Sequence, residues 1–105
     1  MAQFKTFDVR IISIRRIREY YEAHPESKVA LLYWVEVVKR AKWSNAMDVK
    51  RSFGSVDSIG GQRYVFNIGG NKFRLVAVVQ FNHDCVYIRF IGTHSEYDKI
   101  DCRTI

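Results

Sequence analysis

The chain has 105 residues, 48% of them hydrophobic and 27% charged, a balance that excludes a disordered chain and fits one globular domain. Seventeen Lys and Arg stand against eleven Asp and Glu, a net charge of +6, which favours a polyanionic partner such as nucleic acid. No apolar run approaches the ~20 residues of a membrane helix, no signal peptide is read, and Cys85 and Cys102 lack metal-ligand spacing; the expectation is a cytoplasmic protein with reduced thiols, no membrane contact, no metal and no cofactor.

Residues 1–8 show no clear period and read as a flexible N-terminal extension, leaving 9–105 as a single domain. "VRIIS", residues 9–13, reads as a short strand, and Ser13 as the cap of a first helix whose Ile14, Ile17 and Tyr21 share one face. His24-Pro25 ends that helix. In the next helix Leu31, Trp34, Val35 and Val38 fall at i, i+3, i+4 and i+7, an inward stripe. A third, short helix is expected between a Ser44 cap and a Gly54 stop.

From Gln62 the period changes to two. Strands are expected over about 62–68, 71–81 and 85–92, with turns at Gly69-Gly70 and Asn82-His83-Asp84, then a final helical turn in "HSEYDKI". Helices followed by hairpin-linked strands imply an α+β fold: two to three N-terminal helices on one face of a small antiparallel sheet, and a short C-terminal helix. The other face is left to water or a ligand.

Two-residue turns fix which side chains share a face. One face then holds Tyr64, Phe66, Ile68, Phe73, Leu75, Ala77, Val79, Phe81, Val86, Ile88 and Phe90, the expected core. The other gathers Asn67, Lys72, Arg74, Arg89, Ile91 and Thr93, with Arg74 opposite Thr93 and His94 just beyond. Arginine grips phosphate with a planar fork, histidine exchanges a proton near neutral pH, and Tyr97 can stack on a base. These are the groups that gripping or cutting RNA requires. Gly69 and Gly70 are turn formers, not a phosphate loop.

"YVFNIGGNKFRLVAVV" followed by "VYIRFIGTHSEYDKID" resembles the HigB family of type II toxins, within the RelE/ParE-like superfamily. "RIISIRRIREYYEAHPES" and "AKWSNAMDVKRSFGSVD" fit the same pattern, so the resemblance spans nearly the whole chain. It implies a RelE-like fold and a ribosome-dependent mRNA interferase that cuts mRNA in the small-subunit decoding site. It also implies a HigA-type helix-turn-helix antitoxin, through which alone operator DNA is bound. The implied chemistry is metal-independent attack of a ribose 2′-OH on the adjacent phosphate. Arg74 is then assigned to phosphate stabilisation, His94 to proton transfer and Tyr97 to stacking or proton assistance. Asn67, Asn71, Lys72 and Arg89 are assigned to the RNA backbone, with Lys50 and Arg51 as further contacts. Two other readings stand beside this one: a ParE-like inhibitor of DNA gyrase without catalysis, and a non-enzymatic RNA-binding module.

Overall fold

The computed structural model describes residues 9–105; the expected N-terminal extension lies outside the described residues. The elements run β1 (Arg10–Ile12), α1 (Arg15–Ala23), a 3-10 turn (Pro25–Ser27), α2 (Lys28–Arg40), α3 (Ala46–Ser52), β2 (Asp57–Ser58), β3 (Arg63–Ile68), β4 (Phe73–Gln80), β5 (Cys85–Thr93) and α4 (His94–Tyr97). One five-stranded sheet has the order β1-β5-β4-β3-β2. Its pairs are antiparallel except β1 with β5, which run parallel.

The inward stripe of α2 is as expected, with Leu31, Trp34, Val35 and Val38 all buried. They join Ile17 of α1 and Val49 of α3 in one core with Tyr64, Phe66, Ile68, Phe73, Leu75, Val79 and Val86 of the sheet. Edge-to-face ring pairs tie the layers together, Trp34 to Phe66 at 5.4 Å and Phe53 to Phe66 at 5.2 Å.

Two expected caps differ. Ser13 has φ +72° and no side-chain bond to α1; its carbonyl instead accepts from Arg16 N–H at 2.9 Å. A capping hydroxyl needs an extended backbone at its own residue, and Ser13 is spent on turning strand into helix. At α3 the cap is Asn45, one residue after Ser44: its Oδ1 accepts from Asp48 N–H at 3.1 Å, and the Asp48 carboxylate accepts from Ser44 N–H at 2.8 Å.

The hairpin turns are longer than two residues. Ile68 pairs with Phe73 and Gln80 with Cys85, so each turn holds four residues. Four is even, so the facing survives both corners. It fails inside β5. Ala77 pairs with Ile88 but Val76 pairs with Phe90, which makes Arg89 the extra residue of a β-bulge. Beyond it every side chain changes sides. Phe90 leaves the helical core, Ile91 packs against that core, and Thr93 lies opposite Phe73 rather than Arg74. Arg74 faces Gly92.

The second face is not left to water. Val65 and Val76 point away from the helices yet are 3% and 0% exposed. The C-terminal segment covers them. Tyr97 follows β5 and packs beside Phe90, with ring centres 6.5 Å apart. The chain then crosses to β3, where Arg63 donates from Nε and Nη2 to the Ile105 carbonyl oxygen at 3.2 and 2.7 Å.

Candidate functional site

At the 69–72 end of the second face, Asn67 of β3 pairs directly with Arg74 of β4. Arg74 is held in place from below. Its Nη2 donates to Asn71 Oδ1 at 3.0 Å, and its Nη1 to the carbonyls of Asn71 and Phe73 at 3.5 and 3.3 Å. These acceptors occupy the outer edge of the guanidinium. Among the described residues no protein acceptor sits on Nε–H, while both terminal nitrogens have one. The guanidinium also lies 5.9 Å from the Tyr97 ring centre, a cation–π contact that further limits its rotamers.

Gly92 makes this packing possible. A Cβ there would lie 2.5 Å from the Phe90 ring and 2.8 Å from Glu96 Oε1. The bare strand position lets Phe90 lie against it, beside Tyr97, and leaves Glu96 free to cap α4. That cap is reciprocal: Thr93 Oγ1 accepts from Glu96 N–H at 3.1 Å and Glu96 Oε1 accepts from Thr93 N–H at 2.8 Å.

His94 opens α4. Its backbone N–H donates to the Lys72 carbonyl at 3.0 Å, so the turn that clamps Arg74 also anchors the histidine. The His94 side chain is 44% exposed, with Nδ1 3.1 Å from Asp98 Oδ2. The carboxylate engages Nδ1, so Nε2 is the ring nitrogen outside that contact. Tyr97 is hydrogen-bonded through its hydroxyl to Cys102 Sγ at 3.3 Å. That bond and burial push its phenol up to about 12, against the opposing pull of Arg74. At neutral pH the ring is therefore an uncharged phenol, suited to stacking or hydrogen bonding and not to service as a base.

Of the residues expected from sequence, Asn67, Asn71, Arg74 and Tyr97 come together, with Lys72 and His94 on the adjoining turn and helix start. Arg89 sits exposed in the bulge. Lys50 and Arg51 lie on α3 and bond locally, Lys50 to the Val56 carbonyl at 3.1 Å and Arg51 to Asp48 at 2.8 Å. Phe90 and Gly92 join this face only through the bulge, which sets them opposite Val76 and Arg74. Among the described residues no cluster of three His, Cys, Asp or Glu side chains could hold a metal, and no helix is long and apolar enough to cross a membrane.

Residues 27–100 match the family model of HigB_toxin, the RelE-like toxic component of a toxin–antitoxin system. The chain belongs to the HigB toxin family. It is 32% identical over 92 residues to the mRNA interferase toxin HigB of Escherichia coli K12, covering 86% of this chain and 88% of that protein. The mRNA interferase HigB of Shigella flexneri matches to the same extent. That of Escherichia coli O6:H1 (strain CFT073) is 28% identical over 94 residues, covering 88% of this chain and 91% of the relative. As a HigB toxin the chain has an antitoxin as its partner, and the helix-on-sheet architecture with a short C-terminal helix is the RelE-like one. The match takes in α2, α3, strands β2–β5 and all of α4, and so every residue of the Arg74 cluster up to Tyr97.

Proposed function

We propose that this HigB toxin is a ribosome-dependent mRNA interferase that cuts RNA at the Arg74 end of the sheet's second face. The observation that carries the reading is the Arg74 fork, held by Asn71 and Tyr97, next to the turn whose Lys72 carbonyl anchors the backbone of a histidine with a carboxylate on its Nδ1. A guanidinium held before the RNA arrives loses little freedom when it meets the charge that builds on phosphorus. The relatives named as mRNA interferases support the same activity.

In this reading His94 Nε2 carries the proton transfer, with Asp98 steadying the imidazolium that forms. The ribose 2′-oxygen bonds to phosphorus, the bond to the 5′-oxygen breaks, and a proton is delivered to that leaving oxygen. Arg74 meets the non-bridging oxygens with its guanidinium. Tyr97 and Phe90 offer ring faces to a neighbouring base. Asn67 and Lys72 hold the RNA backbone, with Arg89, Lys50 and Arg51 as outlying contacts, while Asn71 acts mainly through Arg74. The HigA-type antitoxin, the decoding site and a cytoplasmic location belong to the same proposal.

Mapping transcript ends after brief expression tests it. The expected result is mRNA cut within translated frames, leaving 2′,3′-cyclic phosphate and 5′-hydroxyl ends. Growth arrest with intact transcripts overturns it, and DNA damage in that case points to a gyrase inhibitor.

A further inference from the structure

Helix α2 carries two apolar stripes. Leu31, Trp34, Val35 and Val38 face the core; Val29, Leu32 and Tyr33 face outward and are 83%, 40% and 63% exposed. Val29 and Tyr33 border the β3–β4 turn at Asn67 and Gly69, while Leu32 turns towards α1. Leu32 also forms one wall of a groove of about 650 Å³ between α1 and α2. Ile14, 41% exposed, stands on the other side, and Ile17 and Val35 form the floor. The rim is cationic, with Arg15, Arg18 and Lys39; the acid on it, Glu36, lies 3.3 Å from Arg40.

Folding does not require this outer stripe, because polar residues at 29, 32 and 33 would leave the core untouched. An exposed apolar groove rimmed by charge marks a protein-binding surface. An RNA strand would engage the cations but bury neither Leu32 nor Ile14. A cationic rim around an aliphatic cleft instead fits a segment that presents apolar side chains flanked by carboxylates.

We propose that the outer face of α2 and the α1–α2 groove dock the antitoxin, through an acidic segment whose apolar side chains enter between Leu32 and Ile14. The proposal rests on membership of a toxin–antitoxin family and not on the cleavage centre, since α1 and α2 cover the sheet face opposite Arg74. The two therefore fail separately.

The test co-expresses Ile14→Asp or Leu32→Asp toxin with the antitoxin encoded alongside it. Each variant alone is expected to arrest growth as the natural toxin does, while the antitoxin no longer rescues. Purified complexes are expected to weaken roughly tenfold or more per substitution, and Lys39→Glu to slow association at low salt. Met47→Asp, at a 63% exposed position on α3, is expected to bind normally. Undiminished rescue and affinity in both aspartate variants overturns the proposal. So does a toxin dimer that Leu32→Asp dissolves while antitoxin binding persists. Should an aspartate variant fail to fold, a photo-crosslinking side chain at position 36, on the rim of the groove, decides the matter: an antitoxin adduct supports the proposal and its absence overturns it.

Discussion

The two faces of the sheet are built by different means. The helical face is closed by large side chains from three helices, with Trp34, Phe66 and Leu75 at 0% exposure. The second face is closed by one short C-terminal segment, held by hydrogen bonds from Arg63 and Tyr97 and by a few ring contacts. The first arrangement supplies stability through buried area. The second leaves a polar end where Arg74, Asn67 and the start of α4 meet solvent. A catalytic group needs such a place: fixed by its neighbours, yet reachable.

Substitutions can pull this contrast apart. Phe66→Ala empties a fully buried ring position and is expected to cost ~3–5 kcal/mol in denaturant unfolding. Gly92→Ala forces a Cβ into Phe90 and Glu96; a loss of ~1–3 kcal/mol is expected, together with slower RNA cleavage because the Phe90–Tyr97 packing shifts. Asn71→Ala is expected to lower kcat about fivefold to tenfold, the net worth of roughly one solvent-exposed hydrogen bond, with little change in KM or stability. In an Arg74→Ala background the same change is expected to add nothing, since the clamp then has nothing to hold.

The smallest effect is a titration. Tyr97 and Tyr20 both have phenols pushed up to about 12, Tyr97 first by its hydrogen bond with Cys102 and Tyr20 first by burial. Each is protonated more tightly in the folded state than in the unfolded one. Their stabilising contribution is therefore complete below pH 10 and is lost as pH rises from about 10 towards 12. Ultraviolet titration of the native protein is expected to show Tyr97 and Tyr20 ionising at about 12. Cys102→Ala is expected to lower the Tyr97 midpoint.

Much of the helical face was legible because it rests on repetition. Leu31, Trp34, Val35 and Val38 have helical spacing, and β3 and β4 alternate cleanly, so the core could be read without coordinates. Even the turn lengths did little harm, since four residues and two give the same facing. The bulge was not legible. Phe90 and Ile91 are both apolar, so "RFIGT" suits either face, and local sequence does not place the extra residue at Arg89. The cover of the second face escaped for a related reason: a tail of eleven residues beyond His94 has too few apolar positions to show a period. Arg74, Asn67 and Tyr97 nevertheless lie together, because Asn67 and Arg74 pair across β3 and β4, which the bulge in β5 leaves in register, and Tyr97 follows a capped turn. The outer stripe of α2 was overshadowed by the inner one, which alone accounts for the helix.

The most direct measurement is the rate of ribosome-dependent mRNA cleavage by purified Arg74→Ala toxin, with its unfolding free energy measured alongside. A fall of about 10²–10³-fold in cleavage, with stability within ~0.5 kcal/mol of the natural protein, is the expected result. Cleavage at the natural rate by the folded variant would contradict the placement of the reaction on this face of the sheet.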